Sequence, residues 1–120
     1  MLNVGHKQLP FYQSSLELVT ECSSVLEQVP GDERYGLVRQ IKRAAVSIPL
    51  NIAEGSSRSS PFDRKRFFEI ARSSAVELDT GFELLVKLNM IEPEQLGEMS
   101  AQLNHCFRQL SNVITKLRTG

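Results

Sequence analysis

Residues 39–55 read RQIKRAAVSIPLNIAEG, and this stretch decides the fold. Small and branched apolar residues recur in it at helical spacing, which predicts a helix that packs closely against its neighbours along a narrow stripe. Pro49 falls inside the pattern, where it removes a backbone donor and crowds the carbonyl of Ala45 at a cost of roughly 3 kcal/mol. We therefore expect this helix to kink at Pro49. The stripe consists of Ile41, Ala44, Ala45, Ile48 and Ile52.

A polar ridge runs beside this stripe at spacings of three and four residues, which places its members on one side of the helix. Ser and Asn are unfavourable inside helices because their side chains compete for backbone hydrogen bonds. Near Pro49 such side chains could bond to the backbone groups that the proline leaves unpaired. We predict that the Ser47 hydroxyl or the Asn51 amide bonds to backbone groups of residues 43–49. The ridge consists of Arg39, Arg43, Ser47, Asn51, Glu54 and Arg58.

Residues 43–55 resemble the signature of the bacterial four-helix-bundle proteins encoded within intervening sequences of large-subunit ribosomal RNA genes. The resemblance continues upstream through residues 30–40 and downstream through 67–78, FFEIARSSAVEL, so it covers most of the chain. Ser73 departs from the family pattern, which has glycine at that position. The resemblance implies a structural signature made of Ser47, Pro49, Asn51, Glu54, Gly55 and Glu77.

The resemblance also implies a non-enzymatic, oligomeric protein. Members of the family form homopentamers around a central channel. A distantly similar group, the accessory variability determinants of diversity-generating retroelements, assists a reverse transcriptase and binds nucleic acid. The expected partners are further copies of this chain, RNA or DNA, and a reverse transcriptase or another protein. By resemblance, the phosphate contacts would come from Arg39, Lys42, Arg43, Arg58, Arg64, Lys65, Arg66 and Arg72.

The whole pattern predicts an all-α, antiparallel up-down-up-down four-helix bundle that forms one domain over residues 1–120. We expect helices over about residues 10–29, 32–56, 61–88 and 93–118, since short connections make consecutive helices antiparallel neighbours. Pro61 and Pro93 suit first-turn positions, and Asp32 and Ser60 are expected to cap helices two and three. Gly81 inside helix three predicts close contact with a neighbouring helix.

Helix four carries the most regular apolar repeat of the chain. Its spacing of four and three residues predicts near-parallel packing with crossing angles of about 20°. The repeat consists of Leu96, Met99, Leu103, Cys106, Leu110, Val113 and Leu117, which Phe107 and Ile114 broaden.

Composition is that of an ordinary globular protein, with 41% hydrophobic and 23% charged residues. No apolar run approaches the ~20 residues needed to cross a bilayer, and the N-terminus lacks a signal-peptide core, so we expect a cytoplasmic protein. Cys22 and Cys106 both fall on apolar stripes without metal-ligand spacing, which predicts buried free thiols. No metal or other cofactor is expected.

Charge is unevenly distributed along a chain whose formal net charge is zero. Residues 34–72 contain nine basic and three acidic side chains, whereas the remainder contains five basic and eleven acidic ones. Two interpretations are open. The basic segment faces the phosphates of a nucleic acid, or it meets acidic helices of the protein's own assembly, in which case the protein is an interaction or scaffolding oligomer without a nucleic-acid ligand.

No pattern of catalytic residues appears, because His6 and His105 lack partners at a workable spacing and no metal or phosphate-loop motif is present. We expect Glu54 and Glu77 to form structural ion pairs. Arg43 should approach Glu77, and Arg72 or Arg66 should approach Glu54 or a residue near it. Apolar residues off the main stripes are expected to mediate oligomerisation or peripheral packing, namely Tyr12, Tyr35, Val38, Val46, Leu50, Phe62 and Val76.

Overall fold

The computed structural model describes residues 1–31 and 36–119, and four helices dominate them. They are α1 (Pro10–Leu26), α2 (Leu37–Ser56), α3 (Pro61–Lys87) and α4 (Gly97–Thr119), with short 3₁₀ turns at Gly5–Gln8 and Pro93–Leu96. Across these two ranges the backbone forms no β-strand. The predicted all-α class is confirmed.

Contacts between side chains show that neighbouring helices run antiparallel. The Ser47 hydroxyl of α2 meets that of Ser74 in α3, while Gly81 near the end of α3 faces Ile41 near the start of α2. Each helix packs on the next, and α4 packs back against α1. The predicted up-down-up-down bundle is therefore confirmed. Helix α2 runs without a break through Pro49, and a kink at that residue stays a prediction.

The core lies along the bundle axis and is built from the predicted stripes. Its largest fully buried side chains include Phe68 and Phe82, and the ring of Phe11 meets that of Phe68 edge to face at 5.5 Å. In α4, Ile114 is buried while Phe107 is 37% exposed. An α-helix turns about 20° per heptad away from a strict seven-residue repeat, so the core-facing position moves along the repeat.

Two predicted helix ends differ from the structure. Helix α1 ends at Leu26 rather than Val29. The N–H groups of Gln28 and Val29 each donate to the carbonyl three residues earlier, which is a turn geometry rather than the α-helical one. The residue before a proline disfavours helical geometry, which explains an end ahead of Pro30. Helix α2 begins at Leu37, after Gly36 in a left-handed conformation with φ 61°. The predicted Asp32 cap lies outside the described residues, as does Tyr35.

The starts of α3 and α4 depend on local capping. Ser60 caps α3 as predicted, because its hydroxyl accepts the Asp63 N–H. Before α4, Pro93 opens a 3₁₀ turn rather than the α-helix itself. There the Gln95 side chain accepts the Glu92 N–H at 2.7 Å, which forms a capping box.

Close approach between α2 and α3 depends on two glycines. A Cβ at Gly81 would lie 2.5 Å from Cγ1 of Ile41, and one at Gly55 would lie 2.9 Å from the ring of Phe68. Both distances are shorter than a real Cβ contact, so only glycine lets the two helices approach this far. The contact predicted at Gly81 is confirmed.

Candidate nucleic-acid interface

Four of the predicted phosphate-binding cations gather where α2 passes into α3. We call this site the α2–α3 corner and define it by Arg58, Arg64, Lys65 and Arg66. The Ser57 hydroxyl bonds to the Glu54 carbonyl at 2.7 Å and helps to end α2. The chain then turns over residues 57–60 into the capped start of α3, which brings Arg58 beside the first turns of that helix.

Most cations of the corner have no acidic partner. Arg58 pairs with Glu54 at 3.2 Å, and both side chains are about half exposed. No carboxylate in the described part of the chain lies within 4.0 Å of Arg64, Lys65 or Arg66. Three neighbouring positive charges are therefore left for solvent or a ligand.

The ring of Phe67 supports two guanidinium groups of the corner. The Cζ atom of Arg58 lies 4.9 Å from the ring centroid, and that of Arg66 lies 5.5 Å from it. A guanidinium over an aromatic face is attracted by the ring quadrupole. Phe67 therefore brings the guanidinium groups of Arg58 and Arg66 to the same ring. The ring of Phe67 is itself only partly buried.

Two buried polar atoms near the corner lack hydrogen-bond partners. They are Nε of Arg64 and Oγ of Ser56, and no acceptor or donor of the described residues satisfies them. An unpaired buried polar group costs about 1–3 kcal/mol, so such groups are uncommon unless a ligand or water completes them. Both atoms lie beneath the surface of the corner, so a ligand there would contact other atoms of these side chains.

The remaining predicted cations lie elsewhere. Arg39, Lys42 and Arg43 line a shallow surface groove with Val46 and other side chains of α2. Fifteen residues separate Arg43 from Arg58, which is about 22 Å along a helix. Arg72 turns toward α4 and donates to the Ser111 hydroxyl at 3.3 Å. The fold thus divides the eight predicted residues into the corner, a second basic group on α2 and one residue at the α3–α4 interface.

The ion pairs predicted between Arg43 and Glu77, and between Glu54 and Arg66 or Arg72, are wrong. In the part of the chain that the structure describes, no ion pair within 4.0 Å joins Arg43 to Glu77. Glu77 lines a small surface cavity with Gln40, on the other side of the α2–α3 contact. Glu54 pairs with Arg58 of its own polar ridge, four residues away, because that partner is nearer than any cation of α3.

A polar contact does join the two central helices, through different residues. The Ser47 hydroxyl lies 2.8 Å from that of Ser74. The Asn51 amide donates to the Ser47 carbonyl at 2.8 Å and is 2.9 Å from its hydroxyl. The predicted bond to the backbone of residues 43–49 is therefore confirmed for Asn51. Its acceptor is the Ser47 carbonyl rather than that of Ala45, which Pro49 leaves without its usual donor.

Folding turns the uneven charge of the sequence into a separation along the bundle axis. We call residues 1–17, 48–73 and 108–117 the basic half, and residues 18–31, 36–47 and 74–107 the acidic half. The contact between Ser47 and Ser74 marks the boundary. The basic half carries eight basic and four acidic side chains, and the acidic half carries four basic and eight acidic ones. The α2–α3 corner lies in the basic half.

The sequence analysis assigned Phe62 to oligomerisation or peripheral packing and did not place it at the basic surface. Phe62 is 73% exposed and lies four residues before Arg66, hence on the same side of α3. The one available signal was its place between a helix-starting proline and the basic run RKR, away from the apolar stripe.

Other off-stripe residues divide between surface and core. Val46, Leu50 and Val76 are exposed, the last two by 63% and 53%. Val38 is buried and belongs to the core cluster. Tyr12 packs against the core, and its ring meets that of His6 at 4.7 Å in the ordered N-terminal turn.

Both cysteines are buried free thiols, as predicted. Burial raises the pKa of Cys22 to about 12, with a further contribution from Glu21, and burial raises the pKa of Cys106 to about 11.

No helix within residues 1–31 and 36–119 is long and apolar enough to cross a membrane.

Comparison with known proteins gives two findings. A family model described as 23S rRNA-intervening sequence protein matches residues 7–112. The fold is similar to the crystal structure of a protein with unknown function from the S23 ribosomal protein family of Bacteroides thetaiotaomicron. That similarity has a TM-score of 0.78 at 24% identity and covers 87% of this chain and 97% of the other. A search of curated proteins gives no match.

Proposed function

This chain belongs to the 23S rRNA-intervening sequence protein family, and on that premise we propose that it is a non-enzymatic, oligomeric protein that binds the backbone of RNA or DNA. The α2–α3 corner is the proposed centre of the binding surface. The relation to the accessory variability determinants, and with it a reverse transcriptase partner, stays a prediction.

One observation carries the proposal. Arg64, Lys65 and Arg66 have no carboxylate partner among the described residues. Guanidinium groups match phosphate oxygens in geometry and charge, so a phosphate would supply the anionic partner that Arg64 and Arg66 lack among the described residues. An intramolecular role would instead leave these cations paired, as Arg58 is with Glu54.

The charge separation between the two halves supports an oriented complex. A polyanion is attracted to the basic half and repelled by the acidic half, so it meets the corner first. Contacts to phosphates carry no sequence information. We therefore expect binding that tolerates any sequence and weakens steeply with salt.

A mobility-shift experiment with full-length protein tests the proposal. Labelled RNA and DNA are titrated at about 50 mM and 200 mM salt, a range over which phosphate-dominated affinities fall strongly. The test variant is Lys65→Glu/Arg66→Glu. Arg64 stays in place because its partly buried side chain also packs against the bundle. We expect binding at the lower salt and a loss of roughly tenfold or more in the variant.

The matched control is Lys87→Glu/Arg108→Glu, which makes the same charge change at two exposed positions outside the predicted surface. Its affinity should stay close to that of the unaltered protein. Absence of any shift at the lower salt, or equal losses in both double variants, would overturn the proposal.

The alternative is an interaction or scaffolding oligomer without a nucleic-acid ligand. It is favoured by the exposed apolar side chains of α2 and by a groove of about 270 Å³ between α3 and α4, lined by Val76, Leu103 and Phe107. Apolar surface of this kind marks contact with other proteins. Under this alternative, the basic half would meet the acidic half of another subunit.

Both proposed functions, nucleic-acid binding and scaffolding, include self-association. The family resemblance implies five subunits. Leu50 is 63% exposed beside Val46 on the outer side of α2, which makes it a suitable interface residue. Light scattering should show a pentamer that Leu50→Glu dissociates, whereas Gln40→Glu, an exposed change on the same helix, should not. A monomeric mass at all concentrations would contradict the oligomer.

A further inference from the structure

Phe62 is an apolar side chain held in solvent among cations. It is 73% exposed, and the neighbouring core does not cover it. Pro61 and the Ser60 cap fix the first turn of α3, so the Phe62 ring projects from a defined backbone. Single exposed apolar residues are ordinary on protein surfaces. This one differs because its surroundings are basic and aromatic.

The neighbours of Phe62 are arranged for an anionic and planar ligand. Arg66 lies one helical turn further along the same side of α3, at the 5–6 Å Cβ spacing of such pairs. Arg66 and Arg58 both lie over the ring of Phe67, which places their guanidinium groups near one another. The corner thus combines an exposed ring with three cations, Arg64, Lys65 and Arg66, that have no carboxylate partner in the described part of the chain.

We propose that Phe62 is a stacking platform for an unpaired base, so that the α2–α3 corner binds single-stranded rather than duplex nucleic acid. This inference rests on the proposed function. Grooves that bind single strands combine cations along the backbone with aromatic rings on which bases stack. In a duplex the base faces are already stacked, and the ring of Phe62 would have nothing to contact.

The sequence provides a direct probe, because the chain contains no tryptophan. Phe62→Trp keeps an aromatic face and adds the protein's single indole. A base stacked on that indole quenches its fluorescence. Phe62→Ala removes the ring, and Val76→Ala is the matched control at another exposed apolar position of α3.

Fluorescence anisotropy would compare single-stranded RNA, single-stranded DNA and a matched duplex of about 12 nucleotides, within the length range of single-strand sites. We expect Phe62→Ala to weaken binding of both single strands by roughly 10- to 100-fold, the range of one lost stack. Binding of the duplex should stay unchanged, and Val76→Ala should behave like the unaltered protein. Phe62→Trp should bind single strands and lose fluorescence when it does.

Other outcomes separate this inference from the proposed function. If the unaltered protein binds no nucleic acid at low salt, the proposed function fails. If it binds but Phe62→Ala has no effect, or weakens duplex and single strand equally, only the stacking role fails. If Phe62→Ala leaves affinity unchanged but alters the mass in light scattering, Phe62 contacts a second copy of the chain and the inference is overturned.

Discussion

Ser47 shows at the scale of one residue how α2 keeps polar side chains beside its core. Its hydroxyl meets Ser74 of α3, and the Asn51 amide bonds to both its hydroxyl and its carbonyl. Polar groups that are partly buried stabilise only while they remain paired. This network therefore fixes the register of α2 against α3 without an ion pair.

Ser47→Ala should lower the free energy of unfolding by about 1–2 kcal/mol, because it leaves Ser74 and Asn51 short of a partner. Urea denaturation of the variant measures the change. Ser73→Ala, at an exposed neighbouring position, is the control and should stay within about 0.5 kcal/mol. Equal effects of the two variants would show that the network contributes nothing specific.

The two thiols lead to a prediction about pH. Their folded-state pKa values of about 12 and about 11 lie above the ordinary value of 9.0, since burial disfavours the thiolate. A raised folded pKa contributes stability below the unfolded value that is lost as pH rises toward the folded one. The free energy of unfolding should therefore fall above about pH 9. The Cys22→Ala/Cys106→Ala variant should lose less over the same range in urea titrations, and parallel pH profiles would contradict this.

At the scale of the element, the contact between α2 and α3 depends on Gly81 having no Cβ atom. Alanine has better helix propensity than glycine by about 1 kcal/mol. A Cβ at Gly81 would nevertheless lie 2.5 Å from Cγ1 of Ile41, which is branched close to the backbone and cannot easily move. Packing therefore outweighs propensity at this position.

Gly81→Ala should destabilise the protein by about 1–3 kcal/mol, the range of overpacked cores. In the background of Ile41→Ala the same change should become neutral or stabilising, because the new methyl then fills space. Gly97→Ala is the control, since nothing lies within 4 Å of a Cβ there. Thermal or urea unfolding of the double-mutant cycle measures the coupling, and purely additive effects would show that Ile41 is not the obstacle.

The sequence predicts elements better than it predicts sites. Pro61 and Ser60 mark the start of α3, and apolar periodicity finds most of each core stripe, because local rules decide both. The periodicity misplaces Val38 and Phe107, which depend on how a whole helix is turned against its neighbours. The sequence analysis also assigned Arg43 and Arg58 to one basic surface. Their separation follows from the length of α2, while the pairing of Glu54 depends on side-chain distances that spacing does not give.

For the whole molecule, the important property is that positive and negative charge are separated along the bundle axis. The protein is neutral overall, yet its two halves carry opposite balances along an axis of about 45 Å. At physiological ionic strength charges are screened over about 8 Å, so each end acts independently on a ligand. The central claim is that the basic half, through the α2–α3 corner, is the end that contacts phosphates.

The salt dependence of binding tests this claim most directly. For single strands, the logarithm of the binding constant falls with the logarithm of salt concentration by about 0.7 for each neutralised phosphate. Lys65→Gln/Arg66→Gln removes two phosphate contacts and should therefore reduce the slope by about 1.4. Arg39→Gln/Arg43→Gln, which removes the same charge from the second basic group, should change it much less. An unchanged slope in the corner variant, or the larger change in the α2 variant, would contradict the account.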